Sequence, residues 1–293
     1  MILLYLLPKN LMSRISGWWM DVYLPRFLRK WILGSFARFF RIQVEDAEQP
    51  LLAYHSVGEF FVRRLKGDLR PLGSSLVLHP VDGRVTEVGK MEHGQLLQAK
   101  GLSYSSREFL AGFEGTYQDG GYVTYYLCPT DYHRVHWPVS GWLHRIVHVP
   151  GTLWPVNSWS THHISQIFCK NERVILEVET EYGWVAVILV GATNVGRISL
   201  AAWPDFRSNL PMERKTRIRE FSPGQRISKG DELGAFHLGS TVVLIFSKEF
   251  QAAVHEVPHA LPKLAGQTVQ VRSNFNSVGN GNGSWKSLTP PPG

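Results

Sequence analysis

The amino-acid sequence predicts an α+β protein that is predominantly β, with a barrel- or sandwich-like core preceded by amphipathic N-terminal helices. Two observations carry the β core. From Leu76 onward, short runs rich in Val, Ile, Leu and Tyr alternate with turn residues, as in Tyr122–Leu127, Arg173–Val178, Trp184–Val190 and Val242–Phe246. At 44% hydrophobic residues with 27 Gly and 17 Pro, the chain has enough apolar surface for a folded core and enough turn formers for many short strands. The third observation concerns residues 1–41, where seven basic side chains face only Asp21. The rest of the chain carries 24 basic and 23 acidic side chains, so the net charge of +7 is concentrated in an aromatic arm, and no nucleic-acid partner is expected of the neutral core.

Taken in order, Met1–Leu7 is apolar but stops at Pro8 and Lys9, without a basic region before it or a small-residue cleavage site after it, which argues against a signal peptide. No run approaches the roughly 20 apolar residues of a membrane span. Residues 24–41 carry a helical period. Leu24, Phe27, Leu28, Trp31, Ile32, Phe36 and Phe39 share one arc and Arg26, Arg29, Lys30 and Arg41 the other, although Leu33, Arg38 and Phe40 blur the division. With Trp18–Trp19 in a preceding helical stretch, residues 1–45 are expected to lie in an anionic membrane interface. The competing reading is a helical hairpin on the core with a solvated basic face.

Residues 42–70 add a helix through Val57–Arg64 that covers the core. Leu76–Val85 reads as strand, Asp82–Gly83 turn and strand. Arg145–Val149 and Arg197–Ala201 continue the series, and Ser222–Gly234 resembles the strand–turn–strand rhythm of barrel-sandwich hybrid carrier domains. The catalytic core is expected over 46–271. Residues 272–293, mostly Asn, Gly, Ser and Pro towards the end, are expected to be disordered. Cys128 and Cys169 provide no disulfide framework and suit a reducing compartment.

The chemistry centres on Gly239–Ser240, at the entrance to the buried run Val242–Phe246. Glycine lets a carbonyl be approached closely, and a serine beside it is an intramolecular nucleophile if a base reaches it. Alone, Leu-Gly-Ser-Thr is a tight turn before a strand. Its company changes the weighing: Asp131-Tyr-His-Arg-Val-His136 supplies His133 and His136, which point to opposite faces of an extended segment, and Asp82 supplies a carboxylate. A histidine metal site recruiting His144, His148, His162 or His163 is an alternative, but the sequence has no HExxH and no Cys pair.

Pro80-Val-Asp-Gly83, Leu97-Gln-Ala-Lys-Gly101, Asp131–His136, Gly191-Ala-Thr-Asn-Val-Gly196 and Lys229–Thr241 together resemble the phosphatidylserine decarboxylases, specifically the longer bacterial membrane-associated form. The resemblance runs from the Trp-rich arm to about residue 250. It implies a proenzyme that cuts itself. Ser240 attacks the Gly239 carbonyl with His136 as base and Asp82 orienting it, and elimination separates a β chain, 1–239, from an α chain beginning at 240. The α chain then carries a covalent pyruvoyl group made from Ser240, which forms a Schiff base with phosphatidylserine and yields phosphatidylethanolamine. His133 would deliver the proton after carbon dioxide leaves, though Tyr132 or a water could substitute. The implied partners are phosphatidylserine, an anionic membrane surface on the cytoplasmic side of the cell membrane, where the protein would be peripheral, and its own second chain in an αβ unit that could pair further. No metal is implied. A decarboxylase of a related serine-headed lipid, a histidine-based metal hydrolase and a carrier-type binding module are the alternatives. The last lacks a modifiable lysine at the Gly-Ser step.

Overall fold

The computed structural model describes residues 8–275 except 68, 100–101, 194–196, 212, 238–239, 256, 258–260 and 262–263. Two helices open it, α1 (Lys9–Asp21) and α2 (Arg26–Phe39), followed by a one-turn helix α3 (Val57–Phe61). The strands are β1 (Gly83–Lys90), β2 (Gln95–Ala99), β3 (Leu102–Ser105), β4 (Gly121–Leu127), β5 (Arg134–His136), β6 (Gly141–Val149), β7 (Arg173–Thr180), β8 (Gly183–Gly191), β9 (Ile198–Leu200), β10 (Arg217–Ile227), β11 (Glu232–Phe236), β12 (Ser240–Phe246) and β13 (Thr268–Val269). The α+β reading, dominated by strands and preceded by helices, holds.

Eight strands form one antiparallel sheet in the order β10-β6-β7-β8-β12-β4-β1-β13. It is open rather than closed into a barrel, for reasons visible at its edges: β10 exposes charged side chains and contains Pro223, and β13 is two residues long. β12 lies near the centre. All seven of its residues are buried, and each pairs with β4 on one side and β8 on the other. A three-stranded sheet, β5-β11-β9, is separate. β11 is its middle strand, so the chain passes from the small sheet to the large one between Phe236 and Ser240.

The helical arm differs from its sequence reading in one respect. The face of α2 turned to the protein is Arg29, Leu33 and Ala37, each under 9% exposed, and Leu33 joins Leu24, Tyr54 and Phe60 in a small core of its own. Arg29, expected on the solvated basic face, is instead buried, with Nε donating to the Leu24 carbonyl at 2.9 Å, Nη1 to the Leu52 carbonyl and Nη2 to Tyr23 Oη. The large aromatics face away from the core: Trp18, Trp19, Phe27, Trp31 and Phe39 are 64–78% exposed. α1 is tied down by an Asp21–Arg197 ion pair of 2.7 Å and by Lys9 Nζ over the Trp154 ring.

Two other segments depart from expectation. Leu76–Val81 makes no strand. Pro80 has no N–H to give a ladder, and the segment is held by Leu78 bonding to the Pro138 carbonyl and bridging Asn274. Of the segment expected to be disordered, 276–293 lies outside the described residues, whereas Arg272–Phe275 is packed: Arg272 N donates to the His79 carbonyl, and Phe275 is fully buried against His79 and Phe246.

Candidate active site

Ser240 opens β12, paired to Leu127 and Gly191. Its side chain is wholly buried and its Oγ has no hydrogen-bond partner among the described residues. Such a hydroxyl costs free energy unless something else uses it. Gly239, the other half of the expected scissile bond, lies outside the described residues. The run Val242–Phe246 explains the placement, because five apolar residues demand burial on both faces of the sheet and carry Ser240 in with them.

His136 ends β5 opposite Glu232 of β11, the strand that feeds Ser240. Its ring is held at both nitrogens, Nδ1 by the Gly230 carbonyl at 2.8 Å and Nε2 by Tyr132 Oη at 3.2 Å. A carbonyl only accepts, so Nδ1 carries the proton and Nε2 the lone pair. Burial pushes the Tyr132 phenol up to about 12, so it stays protonated and donates to Nε2. Burial also lowers the pKa of His136, against the Gly230 bond and the charges of Glu232 and Asp82, which raise it. The imidazole is therefore a neutral base. Gly230 takes φ +82° in the turn between β10 and β11, a conformation that favours glycine, and this turn aims its carbonyl at His136.

Asp82 is 4% exposed and does not contact His136. Arg70 grips it with two bonds, Nε to Oδ1 at 3.0 Å and Nη2 to Oδ2 at 2.6 Å, and the Val271 N–H adds a third at 2.8 Å. It acts on His136 through space rather than by a hydrogen bond. His133 precedes β5 and is fully buried, its ring 4.2 Å from that of Phe61. Nδ1 bonds the Asp131 carbonyl at 2.9 Å and Nε2 has no partner among the described residues. Burial, with a smaller contribution from Arg63, lowers its pKa to about 3. Burial therefore favours the neutral imidazole at His133, where the sequence reading expects titration near neutrality. Burial and the nearby Asp82 charge instead raise Asp131 to about 7, against its bond from the Cys128 N–H.

The histidines of the metal alternative are scattered. His144 pairs with Glu179 at 2.7 Å, and His162 and His163 are exposed on one short helix. His148, Glu172 and Glu213 bring three ligand atoms within 4.8 Å of one another, but His148 is on β6, with β7 and β8 between it and β12. Arg217 already bonds Glu213 there at 2.6 Å, placing a positive charge where a cation would sit.

Residues 57–269 match the family model described as phosphatidylserine decarboxylase. Similar curated proteins include the phosphatidylserine decarboxylase proenzymes of Bordetella petrii, 39% identical over 252 residues covering 83% of this chain and 86% of the relative, and of Legionella pneumophila strain Lens, 40% identical over 248 residues covering 83% and 87%. That of Azotobacter vinelandii is 39% identical over 254 residues, covering 84% and 88%. The chain belongs to the phosphatidylserine decarboxylase family. Within this family member, sequence reasoning did not find Arg70 as the partner of Asp82 or the Gly230 carbonyl as the partner of His136. Neither spacing signals a contact. Tyr132 was noted only as a substitute donor, and its bond to His136 needed the fold.

Proposed function

We propose that this chain is a phosphatidylserine decarboxylase that matures by cutting itself between Gly239 and Ser240. The observation that carries the reading is the buried, unpartnered Ser240 hydroxyl at the mouth of the central strand, in a chain whose relatives are called proenzymes. In the proposed step the Ser240 oxygen bonds the Gly239 carbonyl carbon and the peptide C–N bond breaks, converting amide to ester. The hydroxyl proton passes to His136 Nε2, directly or through Tyr132, and the freed nitrogen takes up a proton. Removal of the Ser240 Cα proton then breaks the ester C–O bond, releasing 1–239 as a carboxylate and leaving a dehydroalanine. Water replaces its nitrogen, which leaves as ammonia, and residue 240 becomes a pyruvoyl terminus.

The residues present fit such a group: position 240 is buried, held on a rigid strand between two neighbours, and has no competing bond. Once formed, the pyruvoyl ketone supplies capture of the substrate amine and an electron sink for decarboxylation. In this reading His133, buried with its Nε2 unpartnered among the described residues, returns the proton that replaces the lost carboxylate. Being neutral, it must first take that proton up on Nε2, the ring nitrogen that has no partner among the described residues.

The exposed aromatics of α1 and α2, set among basic residues, support peripheral attachment to an anionic bilayer from one side; the cytoplasmic face belongs to the proposal through the family resemblance alone. Among the described residues no helix is long and apolar enough to cross a membrane. The test is conversion of phosphatidylserine to phosphatidylethanolamine in vesicles, followed by lipid mass spectrometry. The full chain is expected to convert it and Ser240→Ala to do nothing. A fully active Ser240→Ala would sink the reading.

A further inference from the structure

A cation is buried beside the site, and the carboxylates Asp82 and Asp46 act on it only at a distance. Arg63 is 4% exposed, yet among the described residues no carboxylate pairs with it. Its Nη1 reaches only the Phe61 carbonyl, at 3.5 Å, its Nε has no hydrogen-bond partner, and the guanidinium lies 5.5 Å from the Phe60 ring centroid. An unpaired buried charge is costly to a fold. An arriving anion would remove that cost.

Arg63 lines a small cleft with Arg41, Arg70, Asp82, Thr130 and Tyr132. Three arginines there face two carboxylates, Asp82 and Asp46. Arg70 is committed to Asp82, and burial favours the neutral form of Asp131, the other carboxyl group that Arg63 acts on, so positive charge is left over on the side of Arg63 and Arg41. One surplus charge matches a phosphodiester monoanion, whose oxygens suit the planar donors of a guanidinium. The cleft also borders the reaction centre. Tyr132, which lines it, bonds His136, and Phe61, two residues before Arg63, packs on His133. In a serine phosphodiester only the β-carbon and one oxygen separate the amine-bearing carbon from phosphorus, so the phosphate must rest next to the place where the amine reacts.

We propose that Arg63, assisted by Arg41, forms the subsite that holds the phosphodiester of the serine headgroup. The assignment rests on the decarboxylase reading for the identity of that headgroup. Arg41 follows α2, so the helix whose aromatic face is exposed also delivers a cation to the headgroup's cleft.

Calorimetric titration of the full chain with sn-glycero-3-phospho-L-serine, L-serine and inorganic phosphate tests this, in wild type, Arg63→Gln and Arg63→Lys. The diester is expected to bind wild type more tightly than either other probe. Arg63→Gln should weaken the diester about tenfold while leaving L-serine unchanged, with Arg63→Lys in between. Equal diester binding by wild type and Arg63→Gln would overturn the subsite, as would a parallel loss of diester and L-serine. Inorganic phosphate binding as tightly as the diester would make the cleft a free-phosphate site and overturn the headgroup assignment. If Arg63→Gln does not fold, the exposed Arg41→Gln replaces it: a selective loss of the diester supports the subsite and unchanged affinity overturns it. The intact mass of the same samples reports processing separately. An uncut chain that binds the diester selectively would reject self-cleavage and still support the subsite.

Discussion

In the proposed self-cleavage, the Ser240 hydroxyl, His136 and Asp82 differ from a hydrogen-bonded triad. His136 is oriented by a backbone carbonyl and a tyrosine, and Asp82 is neutralised by Arg70. His136→Ala is therefore expected to slow self-cleavage by about a hundredfold or more. Tyr132→Phe should slow it by about tenfold, since it removes one hydrogen bond and a proton path but leaves the base. Both rates can be read from the time course of chain cleavage in freshly synthesised protein. If Tyr132→Phe cuts at the wild-type rate, the phenol has no part in proton transfer. Asp131 yields a second residue-scale prediction. Its pKa is raised from 3.8 to about 7, so the stability it contributes is full below about 4 and is lost as pH rises through 7. Asp131→Asn, which can still accept from the Cys128 N–H, should raise the melting temperature relative to wild type more at pH 8 than at pH 5. A difference that does not depend on pH would contradict the burial argument.

Among the elements, β12 and the helical arm were the most legible from sequence, for opposite physical reasons. Val242–Phe246 is apolar on both faces, which leaves a central strand as its only comfortable place. The arm's 3.6-residue period gave the helices but not their orientation. An apolar arc can face a core or a bilayer, and only packing revealed that Leu33 and Ala37 point inward while Phe27 and Trp31 point out. That orientation dictates the experiment: deleting residues 1–41 would strip Arg29 and Leu33 from the small core, whereas Phe27→Ser with Trp31→Ser touches only the exposed face. The double variant is expected to lose most vesicle binding in sedimentation, with the melting temperature unchanged. Unchanged binding would remove the membrane role from this face. The turn before β11 carries its own prediction. A Cβ on Gly230 would meet Leu72 Cδ1 at a φ of +82°, so Gly230→Ala should cost about 1–3 kcal/mol in denaturant unfolding and slow cleavage by shifting the carbonyl that holds His136.

At the scale of the whole molecule, the chain crosses from the small sheet to the large one between β11 and β12. The small sheet supplies His136 and His133, the large one supplies Ser240, and the chain between β11 and β12 joins them. Sequence order brought candidate residue types forward, because serine, histidine and carboxylate chemistry has few compositions. It could not give the partners. Arg70 and Val271 lie 12 and 189 residues from Asp82, and Gly230 lies 94 from His136. Leu76–Val81 looked like a strand because its apolar content is that of one, but its backbone bonds go instead to Pro138 and to residues near 274.

The crossing makes the central claim directly measurable as the intact mass of the protein purified from cells, beside Ser240→Ala. The account predicts two wild-type fragments, 1–239 and 240–293, the smaller without a free amino terminus, and a single full-length Ser240→Ala chain. A wild type that remains one uncut chain of 33.2 kDa would contradict it.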